Sequence, residues 1–334
     1  MYSAYVGRTH FDDKEINQIY MKKLILIFII LVTFLENGNS QTTSPSIDKK
    51  IPVLYGHTFP SMGQFRSSFI NTSLQANLGF GTTSPFSNPG LKIGDYTIGA
   101  FEGQILFFNM NVQYQQRFTP WLALFISTET AGRIGTEMTT IMIDGVNTLS
   151  GGSIGWLVRI MQKEKLNLAA AVSVNNVTGN VINVKEYFED LIDNVPNPSI
   201  SKKIPTMNLG LGIQGAYAFS PTFGLQFHAD MAYGESFERT KSKAYYSGGV
   251  IGDVDFKPKY EVPINLALGY RLTTTPAIVM SEGGSTSIIS GKIGYSGSDE
   301  FELGAQFTYN NVELKSVDDK TSITTIMLLL KFYF

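Results

Sequence analysis

From Thr321 to Phe334 the chain alternates side to side: Thr324, Ile326, Leu328, Leu330, Phe332 and Phe334 share one parity, and Thr325, Lys331 and Tyr333 share the other. Successive side chains of a strand point to opposite faces, so the first set makes one nearly unbroken apolar face. A single such strand fits a soluble sandwich core as well as a membrane wall. The chain ends inside the strand, on an aromatic, so the rest of the sequence has to be tested for the same pattern.

That pattern recurs in about twelve segments of roughly ten residues, the spacing of strands in a transmembrane barrel. The cleanest sets Ile70, Thr72, Leu74, Ala76, Leu78 and Phe80 against Asn71, Ser73, Gln75, Asn77 and Gly79. The second sets Leu106, Phe108, Met110, Val112 and Tyr114 against polar partners that end at Arg117. The third runs from Leu122, and the following ones are expected near 151–161, 166–176, 206–219, 223–235, 243–257, 262–271, 286–295 and 301–309. Connections alternate between short turns, as at 118–121, 162–165 and 220–222, and long loops, of which 177–205 is the longest. Aromatics gather near strand ends, with Phe118, Trp121, Phe219, Phe223 and Tyr295 toward the short turns and Phe80, Tyr233, Tyr246 and Tyr270 toward the loops. Aromatic rings favour the boundary between hydrocarbon and headgroups.

The front of the chain points to export. Met21-Lys22-Lys23 precedes the apolar run Leu24 to Leu35, with Gly38 and Ser40 at the small positions before Gln41. A basic start, a short apolar stretch and small residues at −3 and −1 describe a secretory signal peptide cleaved between Ser40 and Gln41. The expected organisation is an upstream extension over 1–20, a signal peptide over 21–40, an N-terminal periplasmic lead-in or plug over 41–67, and a barrel over 68–334. The run 24–35 is too short to span as a helix, which takes roughly 20 residues, and nothing else in the chain comes near that length. Mean hydropathy near zero is what a wall with one apolar and one polar face produces. With no cysteine, disulfides and thiolate metal sites are excluded. A net charge of −2 gives no reason to expect nucleic acid as a partner.

Residues 183–196 break the period of two. Asn183 followed by Glu186 reads as a helix cap with its reciprocal acid. Val184, Phe188, Leu191 and Ile192 then share one helical face, and Pro196 follows. This short helix sits in the longest loop and is a candidate gate over the outer mouth, or a stiffener packed on neighbouring loops.

Two apparent motifs are accidents of strand composition. Gly210-Leu211-Gly212-Ile213-Gln214-Gly215 spells a dinucleotide fingerprint, which requires a helix after it. Gly151-Gly152-Ser153-Ile154-Gly155 spells a nucleophile elbow, which requires a strand, turn and helix. Both lie in alternating segments. His228 falls between Gln226 and Asp230 on the inward parity, and no complete metal-ligand or nucleophile set can be assembled around it. No cofactor, metal or catalytic residue is expected.

Charges do share the inward parity. Arg117, Glu129, Arg133, Arg159, His228, Asp230, Asp253, Asp255, Arg271, Lys292, Glu302 and Lys331 are therefore the candidate lumen lining. A charge facing lipid would cost about 2–4 kcal/mol near the midplane. Opposite charges inside either pair and seal the lumen or line a wet path.

From about Asn71 to Phe334 the chain resembles bacterial outer-membrane β-barrel proteins as an architectural class, and its aromatic ending resembles their C-terminal insertion signal. The resemblance implies an all-β, transmembrane, antiparallel up-and-down barrel in a Gram-negative outer membrane, with lipid around it and the insertion machinery recognising Phe334. The leading functional expectation is a porin-like channel or transporter for passive or facilitated passage of a small solute. The alternative is a closed barrel acting as a surface adhesion, receptor or structural protein through its loops.

Overall fold

The computed structural model describes residues 51–334, apart from 64, 89–90, 94–95, 99–100, 135–144, 237–241, 276–284 and 314–319. The expected extension, signal peptide and cleavage site lie outside the described residues.

Twelve antiparallel strands close into one ring: β1 (Ser73–Thr83), β2 (Leu106–Thr119), β3 (Leu122–Ile134), β4 (Gly145–Gln162), β5 (Leu166–Ile182), β6 (Ser201–Ala218), β7 (Phe223–Gly234), β8 (Lys243–Asp255), β9 (Ile264–Thr273), β10 (Thr286–Tyr295), β11 (Phe301–Glu313) and β12 (Lys320–Tyr333). Each pairs with its neighbours in sequence, and the terminal strand closes the ring on the first, from Tyr333 opposite Ser73 to Ile323 opposite Thr83. Closure leaves no strand edge, the condition for crossing hydrocarbon with strands, where an unpaired backbone group has no water to meet it.

One rim carries the short turns and the C terminus; we call it the turn rim. At the opposite loop rim, β5 and β6 outrun their neighbours, since β6 pairs with β7 only from Asn208 onward and with β5 back to Ser201. The three strands β4, β5 and β6 are longer than their alternating segments suggested, beginning at Gly145 instead of 151, ending at Ile182 instead of 176, and beginning at Ser201 instead of 206. Outside lipid a strand needs no apolar face, so hydropathy does not mark its end. The longest loop shrinks accordingly. It contains the helix α1 (Val184–Ile192), whose cap residue Asn183 accepts a hydrogen bond from the Glu186 N–H at 2.9 Å and donates to the Glu186 carboxylate at 3.0 Å. A second, four-residue helix, α2 (Lys257–Tyr260), turns the chain between β8 and β9, ending at Glu261 in the left-handed conformation. The first long loop rises from the ring as two small hairpin pairs, Phe86–Asn88 with Phe101–Gly103 and Leu91–Ile93 with Tyr96–Ile98.

The outer surface is an apolar belt. Leu78, Phe80, Met110, Ile213, Leu268, Ile293, Phe307 and Ile326 are all exposed, while their alternation partners are buried or half-buried. Trp121, Phe219, Phe223, Tyr260 and Phe334 are exposed along the turn rim, and Tyr233, Tyr246 and Tyr270 toward the other. Among the described residues, no acid or base faces outward between these aromatic rows. The two glycine-rich motifs lie inside β6 and β4, with no helix following either.

One expectation fails at the start of the wall. Ile70 was placed on the lipid face of the first strand, but β1 begins only at Ser73. Ile70 is buried with Ala123, Phe125, Leu157, Ala169 and Ala171 on the inward faces of β3, β4 and β5. Its period of two is continuous with β1, yet the chain at this point is still crossing the interior.

The belt predicts a depth-dependent cost. Leu268→Lys, at an exposed site midway along β9, should destabilise the barrel by about 2–4 kcal/mol. Denaturant titration of folding into lipid vesicles measures it.

Candidate functional site

The interior is organised by residues 51–72, which lie inside the ring. The segment starts at the turn rim as a small hairpin, Val53–Leu54 paired with His57–Thr58. Tyr55 and Gly56 take positive φ at its turn, where Lys165 lies 4.0 Å over the Tyr55 ring. It climbs to an apex near 62–66, marked by a Phe65 N–H bond to the Met62 carbonyl, and returns to β1 at Ser73. It touches strands β2 through β12.

Three of those strands hold Ser61 by every polar atom it has. Its N–H donates to the Glu302 carboxylate at 2.9 and 3.1 Å, and its carbonyl accepts from Lys292 Nζ at 2.5 Å. Its hydroxyl meets Lys331 Nζ at 3.1 Å and the Tyr333 hydroxyl at 3.4 Å. Lys292 and Glu302 also pair directly, with side chains almost wholly buried. A second grip holds His57, which is fully buried: Nδ1–H donates to the Pro221 carbonyl at 3.2 Å and Nε2 faces the Asp253 carboxylate. Gln226 donates to the Pro60 carbonyl, Gly63 N–H to Gln306, Asn167 to the Ser68 carbonyl and Gln115 to the Phe69 and Asn71 carbonyls, all at 2.7–3.0 Å. The wall's side chains thus supply the partners that a non-repeating backbone cannot find in itself.

Apolar contacts fill between these bonds. Leu54, Phe59 and Phe69 pack on Ala216 and Ala218, while Met62 packs on Ile251 and Ala267. Gly224 is the seat for the lower turn: a Cβ there would fall 2.8 Å from the Phe59 ring and collide with the His57 imidazole. A cavity at this level, between the segment and Asn265, Tyr295 and Phe301, is about 10 Å³, room for no more than one water.

Above the apex the lumen opens. A cavity of about 350 Å³ runs from Gly63, Phe65 and Arg66 up to Glu235 and Thr275 at the loop rim. Arg66 lies at its floor with its guanidinium, a permanent cation, 3.6 Å over the Phe125 ring and within electrostatic reach of Asp230. Arg271 Nε–H donates to Ser247 at 2.8 Å, and Gln214 donates to Asp230 at 3.2 Å. His228 Nε2 lies 3.3 Å from Ser247 and 3.6 Å from Asp230, with Phe65 edge-on to its ring. Arg271 lies within electrostatic reach of Asp230 and of Glu129, which stands on β3, halfway round the ring from β9. A second cavity of about 240 Å³ adjoins it on the side of Asn109, Thr308 and Met327.

The structure thus sorts the twelve inward charges by height. Asp253, Lys292, Glu302 and Lys331 meet the inner segment, and Asp255 accepts from Ser296 at 3.0 Å just below. Glu129, Asp230 and Arg271 line the cavity, and His228 is buried behind it, 3.6 Å from Asp230. Arg117 and Arg159 lie near one another toward the turn rim, each beside a β-bulge, and Arg133 lies apart at the upper end of β3. Of the candidate gate face, Val184 is buried and Phe188 half-buried, whereas Leu191 and Ile192 are exposed; Glu186 of α1 pairs with Lys202 at 2.7 Å, at the root of its own hairpin. Sequence reasoning missed Ser61, Arg66 and the role of His57, because nothing in 51–69 repeats and their partners are spread over several strands. Among the described residues no group of His, Cys, Asp and Glu could hold a metal ion.

A closed twelve-stranded ring with an apolar belt and a charged interior defines the chain as an outer-membrane-type β-barrel protein. No protein-family model and no curated protein sequence matches it. Among solved structures, an outer membrane channel from Pseudomonas putida F1 is similar at a TM-score of 0.52 and 10% identity, over 83% of this chain and 100% of that one. The translocator domain of the autotransporter NalP from Neisseria meningitidis aligns at a TM-score of 0.47 and 8% identity, over 81% of this chain and 91% of that one. At such identities the likeness is one of fold.

The clamp on Ser61 has an unequal pair of partners. Removing Lys292 leaves Glu302 with Lys331 nearby, whereas removing Glu302 leaves two buried cations with no anion between them. Glu302→Gln should therefore loosen the segment more than Lys292→Met, by up to about 3–5 kcal/mol. Protease cleavage rates within 51–72, measured on both variants in detergent, decide the order.

Proposed function

We propose that this is a gated outer-membrane channel, through which a small solute enters the cavity from the loop rim and passes to the periplasm when residues 51–72 shift. The observation that carries the reading is the division of the lumen: an open, polar upper half ends on a segment that fills the lower half and, apart from its continuation into β1 at Ser73, is held to the wall by non-covalent contacts. The strand ladder of the ring does not involve residues 51–71, and the Phe334 N–H bond to the Thr72 carbonyl at 3.0 Å marks where ring and segment join, so the segment can move while the wall stays paired. Gating is assigned to this segment in preference to α1, whose Leu191 and Ile192 face away from any packing. In the membrane the turn rim faces the periplasm, and the export signal expected over 21–40 delivers the chain there. The expected lipid belt and the recognition of Phe334 by insertion machinery belong to the same reading.

A closed barrel working through its loops is favoured by one feature, the projecting β5–β6 hairpin with its exposed apolar tip. Trimming residues 183–200 on intact cells would then abolish binding to a surface while leaving permeability unchanged.

Gly224→Val tests the channel without altering the segment itself, because the added methyls occupy the seat of His57 and Phe59. In planar bilayers the wild type should be closed or briefly conducting, and the variant should conduct persistently. A folded, inserted variant that stays as tight as the wild type, together with an equally tight deletion of 51–66, would sink the channel reading.

A further inference from the structure

The upper cavity has a chemistry that selects a class of solute. Its volume, about 350 Å³, lies at the small end of ligand pockets, which span roughly 300–1,000 Å³. That suits a monosaccharide or disaccharide in size. Its floor and one wall carry Arg66, Asp230 and Arg271, and the opposite wall carries Glu129. These four charges sum to zero and are coupled, with Asp230 in the fields of both arginines and Glu129 in that of Arg271. Glu235, near the mouth, is engaged by the Met207 N–H at 3.0 Å. A solute with a net charge would compete with one of these ions for its counter-ion, whereas a neutral one leaves the pairing as it stands.

Paired ions still have hydrogen-bonding capacity to spare: a carboxylate offers about four acceptor sites and a guanidinium five donors. Gln113, Ser153, Asn175 and Asn208 add amides and hydroxyls that both donate and accept. The matching partner is a group that also does both, which is a hydroxyl. Phe65 and Tyr245 contribute ring surface for the C–H face of a sugar ring. A hydrocarbon solute would instead strand those amides, at about 1–3 kcal/mol for each buried group left unsatisfied.

We propose that this cavity is a binding site for a small, uncharged, polyhydroxylated solute the size of a mono- or disaccharide. The solute's onward passage rests on the channel reading above; its binding does not.

The test is calorimetry on the full-length protein in detergent, with glucose and sucrose as neutral probes and glucuronate and glucosamine as charged ones. Neutral sugars should bind with Kd on the order of 1 mM, and the charged sugars about tenfold more weakly. Gln113→Leu and Asn175→Leu, neither of which has a hydrogen-bond partner among the contacts described above, should weaken glucose about tenfold while the barrel keeps its melting temperature. Equal or tighter binding of either charged sugar overturns the proposal, as does no binding of either neutral one. The wild-type comparison needs no variant to fold. Sugar binding by the wild type while the Gly224→Val variant and the 51–66 deletion both stay closed in bilayers would support the site and sink the channel; conductance of those variants without sugar binding would do the reverse.

Discussion

A strand wall in hydrocarbon has to satisfy every backbone hydrogen bond from within itself, and that one requirement organises this protein. It forces the ring to close, with β12 paired to β1 along its length. It also fixes the parity of the whole wall: with one face given to lipid, every charge on the membrane-embedded strands has to face in. The interior therefore inherits a set of acids, bases and amides that must find partners away from bulk water, and residues 51–72 supply many of them. Ser61 is the clearest case, an ordinary residue whose backbone neutralises the hydrogen-bonding demands of Lys292 and Glu302 at once.

The interior follows two different electrostatic arrangements at two heights. Near the turn rim, charges are dry and matched atom to atom, as in the Lys292–Glu302 pair and at His57 and Asp253. Near the middle, Arg66, Arg271, Asp230 and Glu129 are matched through space across a cavity. The first arrangement resists water because breaking it exposes a buried ion. The second tolerates water, and so tolerates a solute that imitates water's hydrogen bonds. Their stacking along one axis is what makes the lower level a candidate barrier and the upper level a candidate site.

The wall was legible in the sequence because lipid enforces a strict period of two, and β7, β10 and β12 follow it to within a few residues. Legibility stops where lipid stops. Thr178 and Asn180 place polar groups where a lipid face would carry apolar ones, so the upper ends of β5 (177–182) and β6 (201–205) looked like loop although they are paired strand. Ile70 shows the opposite error, since its alternation with Thr72 and Leu74 suggested wall where the chain is crossing the lumen. Before Ile70 the inner segment carries no period. Its partners are 164 to 270 residues away at Pro221, Asp253, Glu302 and Lys331, and no local pattern encodes a contact that distant.

The wall nevertheless records the segment's presence. Gly224 is an inward position on β7 where a side chain would pack readily if the lumen were empty, and a glycine weakens a strand interior. Its lack of a Cβ makes sense only with His57 and Phe59 lodged against it. Gly63 likewise brings the segment's apex against Asn77 and Gln306. Wall and segment are thus shaped for one another, while the ladder that holds the wall together runs from strand to strand without residues 51–71. A protein built this way separates the part that must never open, the hydrogen-bonded ring, from the part that can. The segment's hold on the wall rests on the polar contacts around Ser61 and His57 together with the apolar packing of Phe59, Met62 and Phe69.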